Sequence, residues 1–148
     1  MTRTMYATLA FAAAVAFSGP AFADKFKATL DGKSEVPANT SAGKGAAEID
    51  YDAATKKMTY KLTYSGLSGP ATAAHFHGPA EAGKNAGVEV PIANAGTSPV
   101  EGSATLTDAQ AADLTGGKLY VNVHTAANPG GEIQIGRASC RERVCLAV

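Results

Sequence analysis

Met58-Thr59-Tyr60-Lys61-Leu62-Thr63-Tyr64 decides the fold class of this chain. Large apolar or aromatic side chains alternate with Thr, Lys and Thr, a repeat of two. An extended strand with that repeat turns one set of side chains to a core and the other to water. The same alternation occurs upstream, where Phe26, Ala28 and Leu30 interleave with Lys25, Lys27 and Thr29. Residues 46–51 read as a strand, and 52–56 as the turn into the 58–64 strand. Further strands are expected over 72–77, 88–93, 100–106, 118–125 and 131–134. Gly and Pro punctuate the junctions, as at Gly69-Pro70, Gly78-Pro79, Gly116-Gly117 and Pro129-Gly130-Gly131.

One short helix interrupts the strands. Thr107 is placed to cap it while Gln110 reaches back, and Gly116 ends it. Its expected role is to carry the chain from one sheet edge to another. About eight short strands with turn signals at this spacing predict an all-β, antiparallel β-sandwich.

The two ends read differently from the middle. Arg3, the apolar run from Tyr6 to Phe17, the break at Ser18-Gly19-Pro20 and the small-x-small pattern Ala21-Phe22-Ala23 form an export leader over 1–23. Its apolar core is about 12 residues, short of the ~20 needed to span a bilayer. Cleavage after Ala23 and a periplasmic or secreted location are expected. At the other end, residues 135–148 resemble a translated sequencing adaptor. Three of the four Arg and both Cys lie in that stretch, and the fourth Arg lies in the leader. The expected domain is therefore 24–134, with no cysteine to staple it.

That domain carries nine Lys against twelve carboxylates, a net charge of −3. The lysines are scattered, and Arg, the side chain best suited to forked phosphate recognition, is missing. A nucleic-acid partner is not expected, and neither is a membrane span in the mature chain. No Ser lies in a nucleophile-elbow pattern, so hydrolase chemistry has no support. Asp31, Glu35, Asp50 and Asp52 read as acidic loop residues, and Asp50-x-Asp52 as a solvated hairpin end.

All three histidines fall in two strand-like segments, Ala74-His75-Phe76-His77 and Tyr120-Val121-Asn122-Val123-His124. On a strand, His75 and His77 share one face, with Cα atoms about 6.6 Å apart. His124 shares a face with Tyr120 and Asn122, while Val121 and Val123 take the other. If the two strands neighbour each other in register, three imidazoles converge. Three neutral imidazoles suit copper or zinc, with a fourth position open, and export to an oxidising compartment favours copper. Glu132 is a candidate fourth ligand, or an acceptor behind the ligands. The competing reading is that the histidines bind loop backbone and order the Gly78-Pro79 and Pro129-Gly130 turns.

Several segments, taken in order, resemble the CHRD domain. They include 30–37 (Leu-Asp-Gly-Lys-Ser-Glu-Val-Pro), 64–70 (Tyr-Ser-Gly-Leu-Ser-Gly-Pro) and 73–80 (Ala-Ala-His-Phe-His-Gly-Pro-Ala). Thr105-Leu106-Thr107 with Gln110, Tyr120 to Thr125, and Pro129-Gly130-Gly131-Glu132-Ile133 complete the set. The resemblance implies an immunoglobulin-like Greek-key sandwich. It implies no substrate, and a growth-factor partner does not carry over from chordin by fold analogy. After Ile133 the chain departs from the family pattern.

Three functional readings follow. The first is an exported binding domain that holds a metal ion through His75, His77 and His124. The second is a structural or adhesive envelope module with a protein or cell-surface partner and no metal. The third is a mononuclear copper redox enzyme. Copper/zinc superoxide dismutase also has a His-x-His strand in a β-sandwich, but its dinuclear site needs more than three histidines.

Overall fold

A computed structural model describes residues 23–81 and 83–135. Apart from Ala23 and Ile135, the expected leader and tail lie outside the described residues. The described residues form eight strands: β1 (Ala23–Asp31), β2 (Lys44–Asp52), β3 (Lys57–Ser65), β4 (Ala71–His77), β5 (Val88–Ile92), β6 (Val100–Thr105), β7 (Tyr120–Thr125) and β8 (Ile133–Ile135). A 3-10 turn at Gly32–Ser34 follows β1, and the one α-helix among the described residues, α1 (Asp108–Thr115), joins β6 to β7.

The pairings between strands are antiparallel. They make one sheet in the order β5-β4-β7-β8-β1-β2-β3-β6. The expected all-β antiparallel class, strand number and short helix are what forms. The ladder is continuous, because β8 pairs with β7 on one side and β1 on the other. It also curls on itself. In a flat sheet β4 and β3 would stand about 24 Å apart, five strand spacings. Yet the rings of Phe76 on β4 and Tyr60 on β3 lie 5.3 Å apart, edge to face. The two halves therefore close over a shared core of Leu30, Met58, Leu62, Phe76, Val121, Val123 and Ile133, each no more than 1 % exposed.

The 58–64 alternation drives this closure. Met58, Tyr60 and Leu62 are buried, while Thr59 and Lys61 are exposed. On the outer face, Lys27, Glu48, Lys61 and Glu101 stand opposite one another across β1, β2, β3 and β6. Their end pairs close at 3.2 Å (Lys27–Glu48) and 2.9 Å (Lys61–Glu101). Such exposed pairs add little stability, but they keep that face wet.

Helix α1 has the expected capping box: Gln110 N donates to Thr107 Oγ1 and Thr107 N donates to Gln110 Oε1. It leaves edge strand β6, and Gln110 Nε2 donates to the Glu89 carbonyl (3.0 Å) on the opposite edge strand, β5. The helix thus links the two sheet edges. Gly116 caps its C-terminus as expected, and a closing turn follows, with Lys118 N donating to Asp113 O and Gly117 at φ 71°. For that reason β7 begins at Tyr120 rather than at the expected residue 118.

Candidate metal centre

Strands β4 and β7 are neighbours. Their register sets His75 opposite Asn122, His77 opposite Tyr120, and His124 opposite Ala73. His75 and His124 are thus diagonal neighbours on one face, within reach for long side chains. Phe76 and Ala74 face Val121 and Val123 on the other side, in the core. One ring nitrogen from each of His75, His77 and His124 lies within 4.8 Å of the other two. All three predicted site residues are brought together.

Backbone carbonyls set the protonation of two rings. His77 Nδ1 lies 3.1 Å from Ala86 O, and His124 Nδ1 lies 2.9 Å from Pro129 O. A carbonyl only accepts, so both Nδ1 atoms carry hydrogen. In the neutral rings the lone pairs then sit on Nε2. His124 Nε2 receives a hydrogen bond from His75 Nδ1 at 3.1 Å. His77 Nε2 is buried and has no partner among the described residues. The His77 ring stacks on Tyr120, 5.0 Å between centroids and 11° between planes. Ala86 lies against both rings, its N also donating to Tyr120 Oη at 2.9 Å.

The electrostatics favour the neutral form of His75 and His124. Burial pushes the His75 and His124 pKa values below the ordinary range, and repulsion from neighbouring imidazoles adds to this. At His124 the Pro129 carbonyl pulls the other way. Neutral imidazole is the form that binds metal, so ligation at pH 7 needs no proton to be removed from these two rings first.

The CHRD domain family model matches residues 26–134. This chain belongs to the CHRD domain family. No curated protein and no solved structure matches it. The matched span of this CHRD domain holds all three histidines and the two loops whose carbonyls orient them.

Glu132 is not placed as the sequence suggested. Its carboxylate accepts from Ser41 Oγ (2.6 Å), Ser68 N (2.7 Å), Ser68 Oγ (2.6 Å) and Thr125 Oγ1 (2.6 Å). Those donors hold it as a carboxylate, with a pKa lowered to about 2 although burial opposes the shift. Its oxygens are already taken, and it is not among the residues that converge with the histidines. It clamps the loops before β2 and β4 to the start of β8.

Glu35, read as a loop acid, is in fact 5 % exposed. Burial pushes its pKa up to about 7, against a lowering contribution from the Val36 backbone. Asp31, Asp50 and Asp52 lie on strands rather than in loops, Asp31 ending β1, although Asp50-x-Asp52 does form the end of β2 at its hairpin with β3. Asp52 caps its turn by accepting from Ala54 N and Thr55 Oγ1, and Asp50 pairs with Lys25 at 2.7 Å on the surface. The side chains that sequence reasoning missed are Glu35, Asn122 and Gln134, all buried on the histidine side of the sheet. The usable signal was parity: Asn122 shares the face of His124, two residues away.

Proposed function

We propose that this CHRD domain is an exported binding module that holds one copper or zinc ion through His75, His77 and His124. The observation that carries this reading is His77 Nε2, a buried lone pair without a partner, in a ring that converges with two other imidazoles. A metal supplies the missing partner. The Ala86 and Pro129 carbonyls are the outer acceptors that metal-bound imidazoles usually have, fixing ring orientation and tautomer. A metal–nitrogen bond of about 2.0–2.1 Å puts two tetrahedral ligands about 3.4 Å apart, so binding draws the rings together slightly. The 1–23 leader pattern supports export.

The family match and strand order support an immunoglobulin-like Greek-key description. β8 returns from the far end of the chain to lie beside β1 of the β1-β2-β3 meander, the 4-1-2-3 order of that motif.

The test is to dialyse the full chain against copper and zinc in turn and measure metal per chain. One ion that disappears when His75, His77 and His124 are all changed to Ala, with the circular dichroism unchanged, supports the reading. An equal metal content in the triple variant sinks it. The second reading is a structural or adhesive module, favoured by the same carbonyl bonds, which would serve only to order the loops. It predicts no stoichiometric metal and a loss of thermal stability in the His77→Ala and His124→Ala variants.

Among the described residues no helix is long and apolar enough to cross a membrane.

A further inference from the structure

Four buried side-chain atoms lack a hydrogen-bond partner among the described residues: Glu35 Oε1, His77 Nε2, Asn122 Oδ1 and Gln134 Oε1. They are not scattered. His75, Asn122 and Gln134 stand opposite one another in a row across β4, β7 and β8. Asn122 also shares a strand face with Tyr120 and His124 and stands directly opposite His75. Glu35 closes over this row. A side chain at Gly131 would run into both the Glu35 carboxylate and Asn122 Nδ2, so these two groups flank the same point. Gln134 Nε2 donates to the carbonyl of Ser34, the residue before Glu35. Glu35, Asn122 and Gln134 are each at least 95 % buried.

All three orphaned oxygens are acceptors. What the site lacks is a donor, and one proton on Glu35 cannot serve three oxygens, since a carboxylic acid donates a single hydrogen bond. A water bound to a metal has two O–H donors. We propose that Asn122 and Glu35 accept the hydrogen bonds of a proton-bearing oxygen ligand, water in the resting state, at the fourth position of the three-histidine site. This rests on the metal reading above and names the class of ligand that the open position takes. An anion without hydrogens, such as azide, would meet acceptor lone pairs there and be disfavoured.

The experiment uses the copper-loaded full chain, with azide as the probe, followed by its charge-transfer absorption and by electron paramagnetic resonance. Glu35→Gln supplies an N–H donor at nearly constant shape, and Asn122→Leu removes an acceptor. Each is expected to keep one copper per chain and to bind azide at least about fivefold more tightly. Asn122→Asp adds negative charge and is expected to weaken azide by a similar factor. A role confined to packing would not move azide affinity in opposite directions. If the folded variants all bind azide within twofold of the native chain, the proposal is wrong while the metal site stands. If the native chain takes up no histidine-dependent copper, the metal reading fails and this proposal goes with it.

Discussion

His75 Nδ1 and His124 Nε2 are joined by a 3.1 Å hydrogen bond across two adjacent strands. Because Pro129 O fixes the hydrogen of His124 on Nδ1, His75 is the donor in that bond when both rings are neutral. Any ion that uses His124 Nε2 must break the bond and turn the His75 proton elsewhere. The two rings thus hold each other in place.

The pH dependence of metal affinity follows. His75 and His124 have pKa values depressed below 6.5, so proton competition at these two rings should not weaken affinity from pH 8 to about 6.5. Affinity should fall below that, as protons compete for the ring nitrogens. The same rings make fold stability acid-sensitive. The unfolded chain binds more protons between its ordinary value and the depressed folded values, so their stabilising contribution is present above about pH 6.5 and lost as pH falls. Titration calorimetry with zinc at pH 7.5, 6.5 and 5.5 checks the first statement; tightening toward acid would contradict it.

Glu132→Ala should destabilise the fold by roughly 3 kcal/mol or more, because four donors would lose a buried charged acceptor. Glu132→Gln should also be costly, since its amide hydrogens would face hydroxyl and N–H donors. With a folded pKa of about 2 against 4.5, the contribution is full above pH 4.5 and lost as pH falls toward 2. Urea unfolding at pH 7 and pH 3 measures both effects, and a smaller loss at pH 7 than at pH 3 would refute the assignment.

Glu35→Gln should show the opposite pH profile. The folded carboxyl holds its proton up to about pH 7, so the native chain loses stability as pH rises from 4.5 through 7. The neutral amide removes that loss. The variant should match the native chain near pH 4.5 and exceed it by about 3 kcal/mol at pH 8.5, in metal-free buffer. Equal stability of the two at both pH values would show that Glu35 is not desolvated in the fold.

Gly131→Ala should cost at least about 2 kcal/mol. Gly131 has φ 130°, a conformation that side-chain-bearing residues rarely adopt, and a methyl group would strike Glu35 and Asn122. Thermal unfolding with and without zinc reads the effect, and an unchanged midpoint would mean that the loop re-forms around the methyl.

Deleting residues 136–148 should leave metal uptake and stability unchanged, whereas ending the chain at Glu132 should abolish both. Ile133 and Ile135 are 0 % and 9 % exposed, and burying each contributes about 2 kcal/mol. A folded, metal-binding chain that ends at Glu132 would show that β8 is dispensable.

The sequence carried the local geometry well. Period-two alternation located β3, the Thr107 and Gln110 pair located α1, and parity set His75, His77 and His124 on consistent faces. Glu132 and Glu35 were misjudged for a shared reason. Whether a buried carboxylate is a clamp or an orphan depends on which donors the remote loops bring to it. Ser41 and Ser68 lie 91 and 64 residues from Glu132, and no periodicity reports such pairings. The strand start at Lys44, earlier than the expected residue 46, has a similar origin. Gly45 breaks the pattern but fits between Leu30 and Tyr64, where a Cβ would press on the Thr63 carbonyl.

Strand β8 has a consequence for how the molecule is made. Synthesis runs from the N-terminus, so β1, β2 and β3 can zip together early, yet Leu30 and Asp31 at the end of β1 have no mate on their other side until Gln134 and Ile135 arrive. Throughout that interval the nascent chain displays a raw edge of backbone donors and acceptors. A second nascent copy carries the complementary segment, so crowded chains face a choice between self-closure and exchanging their terminal strands.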